Sequence, residues 1–558
     1  MINEKYIGIT IGPILKTFEY VKDTGGLWGA SYIFSYIMKN IYINLKKENF
    51  NNEIYEILLP NIEINNCEDL GVGIFHDRII LKIKKNDSIV IKKIKEIVYS
   101  EKDNFKKLIS EIVEVKDDFI DNYLKLYIVE TSFSEEEKQE KNWSPLIAIS
   151  NYLSMVELRE KAGLTFTNED NKIQNALQLF LNNEKIKCFI KKSGSKFWEY
   201  NDIYYSKEKN NYNFPSIMNI GLEQIYHSNN EPTSELTDSI AFDPKEFKNS
   251  YKDLLNKEKS KENNNLIELK KYHNYVAIIQ ADGDNLGNLI TDLECCKDVS
   301  KEISDFSKEA INEIKCFGAL NIYAGGDDLL FIAPLVNHDN NTVFSLLGKL
   351  SEIYKNKFCD FNKCEKTTIP CSGDKEIKKT TLSFGVNIIY SRYPLFEALE
   401  KSRNLLFDKA KKFNINEKNC TAIRLTKHSG NFNEIYFGNE SKIYKKFQCL
   451  IKKIVGSEED IFESLKGINT KIANDYYYLK EILDDENLLN NYFENNFLSE
   501  INKTRIKDIS KRTEILESLK SLLINMYEDN KKEKEKTIRE FISILNILKF
   551  FCEGDSYE

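Results

Sequence analysis

Leu320–Ala333 reads LNIYAGGDDLLFIA and decides how the surrounding chain is interpreted. Two apolar runs flank the four residues Gly325, Gly326, Asp327 and Asp328, a pattern typical of a β-hairpin with a tight turn. The glycines let the backbone turn sharply and leave room for a bulky ligand. The two carboxylates are hard oxygen ligands of the kind that Mg²⁺ takes together with substrate phosphates. Taken by itself, the stretch is explained equally well as an ordinary structural hairpin.

The segments around the hairpin predict a ferredoxin-like β-α-β-β-α-β unit. In such a sheet the first and third strands lie side by side at the centre. Asp282, which follows the first apolar strand, is therefore expected close to the hairpin carboxylates. The predicted elements are a strand at 272–281, a helix at 296–315, the hairpin, a helix at 341–358, a strand at 380–390, a helix at 394–413 and a strand at 420–425.

Clustered carboxylates repel one another unless a cation lies between them. We therefore predict that Asp282, Asp327 and Asp328 bind Mg²⁺ or Mn²⁺, in a site suited to phosphoryl or nucleotidyl transfer. Lys411, in the sequence FDKAKKF, is the lysine predicted to reach triphosphate oxygens, although a solvated helix end explains it almost as well. Ser383 is predicted to line the purine or ribose pocket.

Residues 1–132 predict a second β-α-β-β-α-β unit, in which Gly12-Pro13 stands at the end of the first strand and no acids are paired at that position. This copy is expected to lack a metal site. His76-Asp77 suggests a metal-dependent phosphohydrolase, but the five histidines are widely scattered, so the pair is interpreted as structural. The fold class is α+β, with two ferredoxin-like domains at 1–132 and 266–430, a mixed, largely helical middle domain at 133–265 and a helical C-terminal domain at 431–558.

Composition narrows the class of protein further. The 558 residues carry a net charge of −8, which argues against a wholesale nucleic-acid-binding surface. The 11 irregularly spaced cysteines indicate reduced thiols, and Cys359, Cys364 and Cys371 lack an adjacent fourth ligand, which favours free thiols over zinc. We find no signal peptide and no apolar run of about 20 residues, so no membrane partner and a cytoplasmic location are expected.

The motifs in combination resemble a known family. The GGDD hairpin, DGDNLG at 282–287 and LSFGV at 382–386 followed by AKKF at 410–413 are similar to the palm domain of the large, polymerase-cyclase subunit of type III CRISPR effector complexes. LWGASY at 27–32 and Phe214-Pro215-Ser216 resemble the Cmr (type III-B) branch.

This resemblance implies two palm-like domains that face one another, the second of which binds ATP and metal. It implies that recognition of target RNA by a complex of guide RNA and other type III subunits triggers transfer of AMP to make a signalling nucleotide. By the same resemblance Asp282 and Asp327 are metal ligands, and Asp328 supports the metal or activates the nucleophile. Gly325 and Gly326 approach the triphosphate, and Gly283 joins them in the nucleotide-binding set.

The chain also departs from the family pattern. No HD nuclease domain is recognisable, so cleavage of single-stranded DNA is not expected, and Cys188 is the lone cysteine where the family has a zinc site. The length and the N-terminus of this chain are similar to a short Cmr-like branch that lacks the HD domain. That branch resembles proteins that join ATP to S-adenosylmethionine instead of making cyclic oligoadenylate. The attacking group therefore stays open. Two further alternatives are a GGDEF-type cyclase that makes a cyclic dinucleotide from GTP, and a scaffold that binds nucleotide without turnover.

Overall fold

The structure of the chain is a computed structural model. No helix in the described part of the chain is both long and apolar enough to cross a bilayer. Cys364 and Cys371 lie outside the described residues, so the thiol prediction is untested there. The residues described are 4–49, 54–62, 69–84, 88–113, 119–134, 137, 144–158, 166–167, 173–174, 176–200, 213–227, 249, 251, 267–289, 293–359, 379–413, 418–455, 459–498, 509–530 and 532–554.

The first domain contains an antiparallel four-stranded sheet with the order β2-β3-β1-β4. This is the ferredoxin-like order, since the strands that flank the first helical crossover are separated by the third strand. The predicted β-α-β-β-α-β unit is confirmed. Its strands are β1 Lys5–Gly12, β2 Tyr55–Leu59, β3 Arg78–Ile83 and β4 Lys125–Ser132, and its helices are α1 Ile14–Phe18, α2 Thr24–Glu48, α3 Ser88–Ser110 and α4 Phe119–Tyr123.

The middle of the chain is mainly helical where it is described. A short antiparallel pair, β5 Phe166–Thr167 and β6 Ile173–Gln174, interrupts the helices. The helices are α5 Pro145–Glu157, α6 Ala176–Phe180, α7 Asn183–Ser193, α8 Phe197–Tyr200, α9 Ile217–Gly221 and α10 Glu223–His227.

The second domain is built on a six-stranded sheet with the order β12-β11-β10-β7-β9-β8. Its last four positions repeat the ferredoxin-like order, and β11 is added parallel to β10. The strands are β7 Tyr275–Asp284, β8 Leu320–Gly325, β9 Asp328–Pro334, β10 Thr381–Tyr390, β11 Cys420–Thr426 and β12 Phe432–Gly438. The helices are α11 Leu293–Cys316, α12 Val343–Phe358, α13 Leu395–Asn404 and α14 Lys411–Phe413, with a π-helical segment at Leu405–Ala410 and 3₁₀ turns at Lys271–Asn274 and Leu286–Asn288.

Strand β12 corrects the sequence interpretation, which made the chain helical from residue 431. Ile435 and Phe437 are buried and alternate with less buried neighbours, the two-residue period of an edge strand. The sheet thus extends past the domain boundary predicted at residue 430. The C-terminal region beyond it is helical as predicted. Its helices are α15 Lys442–Ile454, α16 Glu459–Asn474, α17 Tyr476–Ile482, α18 Glu486–Phe493, α19 Ile509–Asp529 and α20 Lys534–Cys552, with a π-helical segment at Glu494–Leu498.

Helix α2 joins the two sheets. Of its 25 residues, 17 are buried, so it is apolar nearly all round, as a helix enclosed by protein on every side must be. It packs on the first sheet and on β8 of the second. One hydrophobic core contains residues of both sheets, among them Ile9 of β1 and Ile332 of β9. The two ferredoxin-like domains therefore share a core.

Trp28 of α2 should be a main contributor to that core. Its side chain is fully buried, stacks on Tyr32 at 4.4 Å between ring centroids, and donates from Nε1 to the Gly71 carbonyl oxygen at 2.8 Å. We expect Trp28→Ala to destabilise the first domain by about 3–5 kcal/mol, as truncation of a buried aromatic side chain does. Hydrogen exchange of the β1–β4 amides measures this loss. Tyr99→Ala, which removes a half-exposed ring from α3, is the control, and an equal loss of protection in that variant would contradict the assignment.

Candidate active site

The Gly-Gly-Asp-Asp stretch forms the predicted hairpin between β8 and β9. Gly325 pairs with Asp328 across the ladder, which leaves Gly326 and Asp327 as a two-residue turn. Gly326 has φ +75°, a conformation that glycine adopts without strain and that the first position of a type II′ turn requires. Its carbonyl oxygen accepts a hydrogen bond from Ser307 Oγ of α11 at 2.8 Å. The turn is therefore fixed to the helix behind it.

Strand β7 lies directly beside the hairpin strand, as the predicted topology requires. Ala281 pairs with Leu329, and β7 continues to Asp284 instead of ending before Asp282. A side chain at Gly283 would collide with the Asp327 carboxylate and would lie 2.5 Å from Tyr354 Oη. Gly283 thus allows Asp327 to pack against β7, and the space beside it is filled by protein.

Asp284 is the acidic residue that the sequence analysis passed over. It is fully buried, and its Oδ2 accepts hydrogen bonds from Ser383 Oγ at 2.6 Å, Thr381 Oγ1 at 2.9 Å and the Asn419 amide at 3.0 Å. Its Oδ1 is buried without a hydrogen-bond partner. The signal was present in the sequence, because residues two apart on a strand share a face and Asp284 follows Asp282 at that spacing.

Burial makes the charged forms of these carboxylates costly. It raises the pKa of Asp284, and it raises the pKa of Asp327 to about 6, with repulsion from Asp284 contributing. The pKa of Asp328 is also raised, first by burial and then by the charges of Asp327 and Asp77. Three acids at one end of the β7–β9 pair therefore disfavour one another's ionisation.

Asp282 and Lys411 form an ion pair on the face of β7 that Asp282 shares with Asp284. Lys411 Nζ also donates to the Gly283 carbonyl oxygen at 3.0 Å and lies 3.7 Å from Asp284 Oδ1. Burial, with repulsion from Lys418, lowers the pKa of Lys411 to about 7. The predicted lysine is thus at the site, where it contacts the carboxylate that was predicted to bind metal.

The other predicted residues have protein neighbours in this structure. Ser383 is fully buried and supports Asp284, so its side chain does not face open space. The Tyr323 ring occupies the space beside Gly325, and His76 lies against Gly326. Tyr354, which no sequence signal singled out, places a buried hydroxyl without a hydrogen-bond partner next to Asp327 and Gly283. The nucleotide-binding roles of Gly283, Gly325, Gly326, Lys411 and Ser383 stay predictions.

The donor set fits a divalent cation in charge and atom type. Asp284 Oδ1 is a buried oxygen without a hydrogen bond, and a positive charge would stabilise the ionised forms of the neighbouring Asp327 and Asp328. Within the described residues, no group of three or more His, Cys, Asp or Glu side chains is positioned to hold a metal ion. A cation here would complete its shell with substrate or water oxygens, as Mg²⁺ commonly does. The metal-ligand roles of Asp282, Asp327 and Asp328 stay predictions.

Replacement of Gly326 by alanine tests the turn geometry. A Cβ atom there would lie 2.8 Å from His76 Cε1, and the left-handed φ costs an L-residue about 1–2 kcal/mol. Gly194 is a matched control, with φ +69° and no atom within 4 Å of an added Cβ. We expect chemical denaturation to give a loss of about 1 kcal/mol for Gly194→Ala and a larger loss for Gly326→Ala. Equal losses would show that the His76 contact adds nothing.

Protonation of Asp327 should stabilise the metal-free protein. Because its pKa of about 6 exceeds the ordinary value of 3.8, the stability gained from the bound proton is complete below about pH 4 and is lost as the pH rises through 6. Asp327→Asn should therefore flatten the fall in unfolding free energy between pH 4 and pH 7, measured by denaturation in a chelator. Asp121→Asn is the control. Lys106 lowers the pKa of Asp121, so the ionised Asp121 carboxylate makes the unfolding free energy rise with pH, opposite to the effect of Asp327. Parallel wild-type and Asp327→Asn profiles would contradict this prediction.

Comparisons with known proteins agree with this architecture. Residues 275–422 match the family model described as Cas10/Cmr2, second palm domain. CRISPR system Cmr subunit Cmr2 of Pyrococcus furiosus is 28% identical over 261 residues, covering 45% of this chain. The match spans 26% of the length of that protein.

Solved structures extend the similarity over most of the chain. A chain of the type III-B Cmr-beta complex in the apo state matches with a TM-score of 0.56 and 13% identity, covering 91% of this chain and 78% of the other. A chain of Cmr-beta bound to cognate target RNA matches with a TM-score of 0.54 and 13% identity, covering 91% and 80%. At such identity the match establishes a shared fold. Residues 275–422 are therefore similar to the second palm domain of Cas10/Cmr2, and the chain shares the fold of a chain of type III-B Cmr complexes.

Proposed function

We propose that the chain is a divalent-cation-dependent nucleotidyltransferase that transfers AMP from ATP. The observation that carries this proposal is the group of acids at the end of β7 and in the hairpin turn, of which Asp284 is buried and Asp327 and Asp328 are half-buried. One buried oxygen of Asp284 accepts no hydrogen bond, and burial raises the pKa values of Asp284, Asp327 and Asp328. A hairpin with only a structural role is not stabilised by three neighbouring acids, whereas a bound cation and triphosphate would neutralise their charge.

Bound Mg²⁺ or Mn²⁺ would supply charge stabilisation at the phosphates and activate the attacking hydroxyl. The chain's own residues determine where this happens. Ser383, Thr381 and the Asn419 amide hold Asp284 by one oxygen, so its other oxygen has a fixed position. Lys411 would bind a phosphate oxygen of the nucleotide after breaking its ion pair with Asp282. The release of Asp282 on nucleotide binding would then free that carboxylate for the cation.

The proposed setting is a type III CRISPR effector complex in the cytoplasm. We propose other type III subunits, a guide RNA and a target RNA as its partners. The fold that it shares with a chain of Cmr-beta bound to cognate target RNA supports this. We propose that target recognition switches on the synthesis of a signalling nucleotide. The product is either cyclic oligoadenylate, made by attack of an ATP ribose hydroxyl, or a conjugate of AMP with S-adenosylmethionine as co-substrate.

Two alternatives are separable from this proposal. A GGDEF-type cyclase would use GTP, and it shares the ferredoxin-like sheet and the acidic hairpin. The shared core of two ferredoxin-like domains and the family match at 275–422 favour the Cas10/Cmr2 activity instead. A scaffold without turnover would retain nucleotide binding, but it gives no reason for three acids to be kept close together and partly or fully removed from water.

Labelled ATP with Mg²⁺ and target RNA, with and without S-adenosylmethionine, tests the proposal on the assembled complex. We expect a new AMP-containing product that the double variant Asp327→Ala, Asp328→Ala abolishes while target RNA binding is retained. Asp284→Asn keeps the shape but removes the charge, and should raise the Mg²⁺ concentration needed for half-maximal rate. Asp121→Asn, an exposed acid of the first domain, is the matched control and should leave turnover unchanged.

Mass spectrometry of the product separates the two chemistries, since only the conjugate contains the S-adenosylmethionine mass. The absence of any AMP-containing product under both conditions would exclude the nucleotidyltransferase. Turnover of GTP in preference to ATP would favour the cyclase, and activity that survives the double variant would place the site elsewhere.

A further inference from the structure

A segment of the first domain, residues 70–77, runs along the edge of the second domain's sheet. Gly73 pairs in parallel with Tyr323 of β8, and the Ala324 amide donates to the Gly73 carbonyl oxygen at 3.0 Å. This edge segment therefore extends the palm sheet by one backbone contact next to the hairpin. His76 and Asp77 stand at its end.

Helix α2 fixes the edge segment at both ends. Trp28 Nε1 donates to the Gly71 carbonyl oxygen at 2.8 Å, and the Phe75 amide donates to Ser35 Oγ at 2.8 Å. Both anchoring side chains are buried. The position of His76 is thus set by the first domain's core and not by a free loop.

The His76 ring covers the turn of the hairpin. A Cβ built on Gly326 would lie 2.8 Å from its Cε1, 3.3 Å from its Nδ1 and 3.8 Å from its Nε2. Ser307 Oγ of α11 also donates to the Gly326 carbonyl oxygen, at 2.8 Å. A helix of the palm and a side chain of the first domain therefore both lie next to Gly326.

The environment of the His76 imidazole determines its protonation state. Among the described residues no hydrogen-bonding or charged group shifts its pKa, which burial lowers to about 4, so the ring is neutral near pH 7. A neutral imidazole carries one N–H donor and one acceptor. Burial and the charge of Asp327 raise the pKa of Asp328, and the charge of the neighbouring Asp77 raises it further.

We propose that His76 is a nucleotide-binding residue of the palm, supplied by the first domain, whose imidazole N–H donates to a phosphate oxygen of a nucleoside triphosphate held above the Gly326–Asp327 turn. This assignment rests on the proposed function for the identity of the ligand. It makes the first domain, which has no metal site of its own in the sequence, a direct contributor to the second domain's site.

Binding of a non-hydrolysable ATP analogue to the full-length chain with Mg²⁺, measured by calorimetry, tests the proposal without turnover. We expect His76→Ala to raise the dissociation constant on the order of ten-fold, the effect of losing a hydrogen bond to a charged group. His76→Gln, which keeps an N–H donor, should recover part of the loss. His428→Ala removes an exposed imidazole elsewhere in the palm and should bind as the wild type does.

Adenosine, which has no phosphate, separates phosphate binding from a packing role. The proposal predicts that His76→Ala leaves adenosine affinity unchanged. An equal loss of affinity for adenosine and for the analogue in both His76 variants would assign the residue to packing. An unchanged affinity for the analogue in His76→Ala would overturn the proposal outright.

The same variants distinguish this inference from the proposed function. If the wild-type complex transfers no AMP while His76→Ala still weakens analogue binding, the proposed activity fails and the His76 assignment stands. If the wild type turns over ATP and His76→Ala changes neither affinity nor KM, the activity stands and the His76 assignment fails. No binding of the analogue by the wild type overturns both.

Discussion

The cost of removing three neighbouring carboxylates from water is the constraint on which the site in the second domain depends. Asp284, Asp327 and Asp328 meet where β7 and β9 run side by side, and burial raises the pKa of each. Folding must place these groups together at a cost, because buried charge is stabilised far less than charge in water. The surrounding donors offset part of that cost at one oxygen of Asp284 and leave its other oxygen without a hydrogen bond. Such an incomplete arrangement is typical of a site that a ligand completes.

The shared core gives this site a rigid frame that no single domain provides. Helix α2 is buried between the two sheets, and its Trp28 and Ser35 hold the backbone segment that reaches the hairpin edge. The hairpin turn is consequently held both by the palm helix and by the first domain. The first copy of the fold, whose first strand ends in Gly12-Pro13 instead of acids, is thus a structural partner of the second.

Local sequence patterns predicted the sheets well and their extensions poorly. The Gly-Gly-Asp-Asp turn, the central strand before Asp282 and both ferredoxin-like orders follow from periodicity and turn chemistry. Strand β12 was missed because the sequence FNEIYFG also has apolar residues at helical spacing, and its pairing with β11 decides between the two readings. His76-Asp77 was interpreted as structural, since a dipeptide carries no information about which distant turn it will contact.

The sequence by itself determined that a hairpin carries adjacent acids beside a central strand that ends in Asp-Gly-Asp, because these depend on neighbouring residues and on period-two alternation. The tertiary structure decided which of those acids share an environment. It joins Asp282 to Lys411, holds Asp284 with Ser383 and Thr381, and brings His76 to Gly326 across a domain boundary. These contacts join residues far apart in the chain. Their distances depend on how two sheets pack around one buried helix, and no local pattern encodes that packing.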